Sequence, residues 1–160
     1  MISEYRKDNV LEKLAGLIPG YKGYSERNGR RETDKILRMH ISSTLHEKSS
    51  LSRALIEQHR LESLGVLEQL KTKTILIADS IRYAQGGASG IFDWVKVDNA
   101  VLADLYLYDL KLKEYCDHLL SNIENLSLME IDKCCEPIHC ELDDLQGLIN
   151  KRTNIITGVK

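Results

Sequence analysis

Apolar residues return every third or fourth position along most of this chain, and proline almost never interrupts them. That pattern is the signature of helices with one buried stripe. Only Pro19 and Pro137 occur in 160 residues. No stretch alternates apolar and polar residues as a half-buried strand would. Leu, Ile, Glu, Lys and Asp dominate, with one Phe and one Trp, a composition that favours helix over strand. The fold class expected is all-α: an antiparallel bundle of four main helices plus a short N-terminal helix. Residues 1–152 are expected to form one domain, and residues 153–160 a frayed tail.

The expected helices run in order. Ser3–Ile18 carries Val10, Leu11, Leu14, Leu17 and Ile18 on one side, and Pro19 and Gly20 stop it. Gly20–Tyr24 reads as a turn whose glycines permit positive φ and whose tyrosines pack back onto the bundle. Ser25 is the expected cap of a long second helix, from Glu26 to about Leu64, with a possible break at His46–Ser50 and Gly65 as terminator. Its face is Ile36, Leu37, His40, Ile41, Thr44 and Leu45, continued by Leu51, Ala54, Leu55 and Leu61.

Val66–Tyr83 follows, with Leu67, Leu70, Thr74, Ile77, Ala78 and Ile81 in the paired rhythm of a bundle or coiled-coil seam. After a loop at 84–97, Asp98 caps a helix from Asn99 to about Asn125, in which Tyr106, Leu107 and Leu110 widen the buried face. The last helix spans Met129 to about Arg152, with Pro137 near its start.

Charge is distributed unevenly. Residues 1–60 carry 12 Lys/Arg against 8 Asp/Glu, and residues 98–150 carry 3 against 12. The plain reading is that early bases lie beside late acids; the sharper one is a basic surface for an anionic partner. The acidic carboxylates interleaved between Lys22 and Arg38, and the net charge of −2, argue against nucleic acid. No apolar run reaches the roughly 18 residues needed to span a bilayer, and Met1–Leu14 alternates in charge rather than forming a leader. A cytoplasmic protein with free thiols and no membrane insertion is expected.

Four constellations could carry chemistry. The first is an arginine–tyrosine cluster where the second helix begins. Arg27, Arg30, Arg31, Glu32 and Asp34 stand near Tyr21 and Tyr24 and are expected to meet Arg82, Tyr83 and Asp93 from the later loop. These groups could bind an anionic ligand, with Tyr21, Tyr24, Arg30, Arg31, Asp34, Arg82, Tyr83 and Asp93 as the lining. Alternatively, Arg30, Arg31 and Arg82 pair with Asp34, Asp79 or Asp93 and merely tie two loops together. No phosphate-cradling glycine motif is present.

The second is Cys134, Cys135, His139 and Cys140 with Cys116 and His118, whose spacing fits no zinc ribbon or knuckle. The third is a single Glu136–His139 pair, of the type that di-iron bundles use twice. The fourth is a nucleophile among Ser42, Ser43, Ser49 and Ser50, which lack a base and its orienting partner. No catalytic residue, cofactor or metal is assigned.

The strings GYKGYSERNGRRETDKILR at 20–38 and IRYAQGGASGIFDWVKVD at 81–98 resemble two blocks of an uncharacterised prokaryotic family of small helical proteins. Those blocks are GY-x-GY…RR-x-x-D-x-x-L-R and IRYA…G-x-F-D. The resemblance implies a cytosolic helical protein and no known activity. The leading functional expectation is a non-catalytic interaction or scaffold module, a homo-oligomer or bound to a protein partner. Its contact surface would be the second helix or the loop residues Ile91, Phe92 and Trp94, which could instead plug the end of the bundle.

Overall fold

The computed structural model describes residues 2–26, 29–58, 61–84, 99–125 and 131–157, with side chains at 9–26, 29–49, 64–84, 102–125, 133 and 135–155. Among them are five α-helices and no strand: α1 (Ile2–Leu17), α2 (Arg30–Gln58), α3 (Leu61–Tyr83), α4 (Asn99–Glu124) and α5 (Ile131–Thr157). Helix α2 packs on α3, α3 on α5, α5 on α4, and α4 on both α2 and α1.

The three- and four-residue rhythm becomes the core directly. Leu37, Ile41 and Leu45 of α2 are buried, as are Leu67, Leu70, Ile77, Ala78 and Ile81 of α3. Helix α4 contributes Leu102, Leu105, Leu112, Leu119 and Ile123, and α5 contributes Ile138, Leu142, Leu145 and Ile149. Each fully buried aliphatic side chain is worth about 1.5–3 kcal/mol in transfer free energy. The seam expected on α3 is thus buried throughout its described length.

Side-chain pairs register the helices. Arg38 of α2 meets the Arg82 and Ala84 carbonyls, while His46 meets Asp79. Position therefore rises along α2 as it falls along α3. Between α4 and α5 the order is likewise inverted, from Asp109–Arg152 to Asn122–Glu141. Early bases do find later acids: Lys13 pairs with Glu114 at 2.6 Å, Lys48 with Glu124, and Lys73 with Asp143 at 2.7 Å. These pairs are partly exposed, and solvent screening leaves each a minor contributor to stability.

Several boundaries differ from the periodicity-based expectation. Helix α2 starts at Arg30, not Glu26, and ahead of it the Gly29 N–H bonds the Glu26 carbonyl. It passes unbroken through His46–Ser50 to Gln58, and Leu64 belongs to α3. Gly65 does not terminate it but lies inside α3, where no atom outside the local backbone approaches within 4 Å. Packing of Leu67 and Leu70 outweighs the roughly 1 kcal/mol that glycine costs a helix. Leu107 is 48% exposed rather than part of a widened core. Helix α5 extends five residues past Arg152, and Ile155 packs against the core. The Asp98 cap and the aromatic residues of 91–94 lie outside the described residues.

The turn after α1 places the next level of structure. Pro19 ends the helix, and Gly20 and Gly23 take φ of 84° and 85°. Tyr21 and Tyr24 then fold inward, at 4% and 1% exposure. At Gly23 the constraint is double. A Cβ there would stand 2.6 Å from the Tyr106 hydroxyl and 2.9 Å from Leu11 Cδ1. Gly23→Ala is expected to cost at least about 2 kcal/mol in denaturant unfolding, from φ strain and the clash together. Gly65→Ala, in open helical surroundings, is expected to add about 0.5–1 kcal/mol. Equal responses from the two would refute this account of the turn.

Candidate functional site

Three helices and the glycine–tyrosine turn meet at a buried ionic cluster. Arg152 of α5 lies at its centre. Its Nε donates to Asp109 Oδ1 at 2.6 Å, its Nη1 to Asp34 Oδ1 at 2.6 Å, and its Nη2 to the Tyr24 hydroxyl at 2.7 Å. Asp109 is fully buried, and the side chains of Asp34 and Arg152 are 2% and 5% exposed. Asp109 Oδ2 accepts the hydroxyl protons of Tyr21, at 2.7 Å, and Tyr24, at 2.6 Å. Asp34 Oδ2 accepts from Arg38 Nε at 2.9 Å. Two carboxylates and two guanidiniums balance, so the cluster carries no net charge.

Around this centre a second layer holds the turn. Tyr106 of α4 accepts the Tyr24 backbone N–H at 2.7 Å and stacks on the Tyr24 ring, centroids 5.6 Å apart. Tyr21 meets Tyr24 edge-on at 5.9 Å. Thr33 donates to the Gly23 carbonyl at 2.7 Å, and Arg30 Nε donates to the Tyr24 carbonyl at 2.7 Å. Arg38 also caps the end of α3 through the Arg82 and Ala84 carbonyls, at 3.0 and 2.8 Å. Charged donors near a helix C-terminus are favourable there.

The arrangement sets protonation firmly. Burial, then the charges of Asp109 and the neighbouring phenol, push the Tyr21 hydroxyl far above its ordinary value. Burial does the same to Tyr24, opposed by Arg152 and reinforced by Asp109 and Asp34. For Arg152 burial favours the neutral form, but Asp109, Tyr24 and Asp34 outweigh it and hold the guanidinium charged.

The residues expected at a ligand site divide. Tyr21, Tyr24 and Asp34 come together, yet face inward onto Asp109 and Arg152. Arg30 is half-buried against the turn. Arg31, Arg82 and Tyr83 are exposed, Tyr83 at 74%. Asp93 lies outside the described residues. Asp34 pairs with Arg38 and Arg152, and Asp79 with His46.

Sequence reasoning passed over Asp109 and Arg152. A signal was present: Asp109 falls in the Leu105–Leu112–Cys116 register, and Arg152 follows Leu142, Leu145 and Ile149. A lone charge in a seam slot on each of two helices marks a buried pair.

Other constellations offer less. Ser42 is wholly buried and its hydroxyl has no hydrogen-bond partner among the described residues, while His46 one turn on is engaged with Asp79 at 2.9 Å. A nucleophile needs access and a base, and Ser42 has neither. Cys116 and Cys135 are buried free thiols, and burial pushes Cys116 up to about 12. Among the described residues no three His, Cys, Asp or Glu side chains form a group able to hold a metal ion. An open groove of about 450 Å³ is lined by Asp104, Leu107, Tyr108, Lys111 and Ile155, none of them expected at a site. No protein-family model, curated protein or solved structure matches the chain.

Replacing Arg152 by Met leaves two buried carboxylates facing each other, and is expected to cost about 3–5 kcal/mol in urea unfolding. Tyr21→Phe, which removes one donor of several, should cost about 1 kcal/mol. Similar losses would show that the guanidinium is not the centre of the cluster. A phenol whose folded pKa is raised contributes stability that is fully present below the unfolded value of about 10 and is lost as pH rises beyond it. Unfolding free energy should therefore fall steadily above pH about 10, with a shallower slope in Tyr21→Phe. An unchanged slope would contradict the buried Tyr21–Asp109 bond.

Proposed function

We propose that this chain is a non-catalytic helical module that works by contact with another protein surface. The observation that carries the reading is the closure of its ionic centre. Asp34, Asp109 and Arg152 spend their charges on one another, and the tyrosine hydroxyls spend their protons on Asp109. Chemistry needs a poised group beside a cavity, and this cluster is a joint instead. The outer surface supplies the complementary half. Of the five exposed large apolar side chains among the described residues, Met39, Leu76 and Tyr83 belong to α2 and α3, with Leu76 at 63% exposure. Exposed apolar residues grouped on two packed helices are what a contact surface requires.

The fold is read with this proposal as an antiparallel four-helix bundle with α1 alongside; the inverted order of the α2–α3 and α4–α5 pairs supports it. A second reading is an anionic-ligand site at Arg30, Arg31, Arg82, Tyr83 and Asp93. The Arg38 bridge to Ala84 favours it, since the bridge brings the start of α2 beside the end of α3. In that reading the Tyr21–Tyr24–Asp34 cluster is the foundation of the site rather than its lining.

A photo-crosslinking residue in place of Leu76 tests the main reading. Irradiation in native cell extract should yield a discrete adduct, absent when the probe replaces exposed Glu12 of α1. No adduct at Leu76, or the same products from both positions, would reject a contact surface on α3. A phosphate-dependent rise in melting temperature that Arg82→Ala abolishes would favour the ligand reading.

A further inference from the structure

The outward side of α2 carries a row with an unusual symmetry. Lys35, Met39, Ser43 and Glu47 follow one another at four-residue spacing, and all four are exposed, Met39 at 39%. The row lies opposite the buried Leu37, Ile41 and Leu45. Neither Lys35 nor Glu47 has an ion-pair partner among the described residues, whereas neighbouring Lys48 is taken up by Glu124 of α4. The row reads base, methionine, serine, acid. Turned end for end, it presents each charge to its opposite.

We infer that a second copy of this chain docks on α2 through this row, the two α2 helices crossing in opposite directions about position 41. The inference rests on the contact-module reading and names its partner. In a two-fold interface each patch must complement itself. In this register Lys35 faces the second copy's Glu47, Met39 faces its Ser43, and both contacts occur twice. Among the described side chains of α2 this register sets no charge against its own sign. Four-residue spacing also defines a ridge of the helix surface. Two such ridges interdigitate when helices cross at about 50°, which brings the ends of the row together despite the twist of the helix. The contact is one helix wide and belongs at the small end of specific interfaces, so association is expected in the micromolar range or weaker.

Analytical ultracentrifugation of the purified full chain, from micromolar to millimolar concentration at low salt, tests the inference. The wild-type protein should approach dimer mass with rising concentration. K35E and E47K should each weaken association by about tenfold or more, because each sets like charges against one another. Both positions are exposed, so the variants should keep wild-type circular dichroism. Mixing K35E with E47K should restore dimers, since every facing pair is then of opposite sign, and the double variant K35E/E47K should associate like the wild type. A monomer at every concentration would overturn the inference, as would association indifferent to either reversal. Either outcome, obtained together with a discrete adduct from the Leu76 probe to a different protein, would leave the contact-module reading standing. Either outcome together with the absence of any Leu76 adduct would remove that reading itself.

Discussion

One guanidinium holds this molecule in register. Arg152 reaches carboxylates on α2 and α4 and a hydroxyl on the turn after α1. Hydrophobic contacts between helices can slide by a turn at modest cost, because one leucine resembles another. An arginine between two aspartates cannot slide, since moving it strands three charges away from water. The apolar core supplies the driving force for compaction, and the ionic cluster selects one arrangement among the compact ones. Whether such clusters add net stability depends on geometry; here each carboxylate accepts at least two charged or hydroxyl donors, the condition under which burial is tolerated.

The cluster also explains the glycine–tyrosine turn. Gly23 has no side chain because the Tyr106 hydroxyl occupies that space, and Tyr106 is there to receive the Tyr24 backbone N–H. Tyr24 in turn supplies its hydroxyl as donor to Asp109 and acceptor from Arg152. A short segment without regular structure is thus fixed by hydrogen bonds at both its backbone and its side chains. Arg38 carries the same order outward by joining Asp34 to the end of α3. Local conformation and long-range charge pairing meet in a handful of residues.

Much of the fold was legible from spacing alone. The α3 seam, the all-helical class, the α4 span and the two positive-φ glycines follow from periodicity and backbone sterics. Boundaries near Gly65 were not legible, because propensity reads a glycine as a stop, while packing on either side carries the helix through it. The Tyr21, Tyr24 and Asp34 grouping was visible as a cluster, but its direction was not. Facing inward depends on Asp109 and Arg152, which lie 88 and 118 residues from Tyr21 and Asp34 respectively. No local rule connects residues so far apart. Only a charge standing where the repeat calls for leucine could hint at the pairing.

That distance has a consequence for how the chain comes together. Asp34 and Asp109 precede Arg152 in the chain, and until α5 docks Asp109 lacks its guanidinium while Asp34 has only that of Arg38. Helices α1 to α4 can gather during synthesis, yet they would have to keep both carboxylates hydrated, with the tyrosine turn open. Closing then waits for α5, which follows the other four helices in chain order. A chain cut short before that arginine would remain swollen and wet at its centre, and so be conspicuous to the proteases that clear unfinished products.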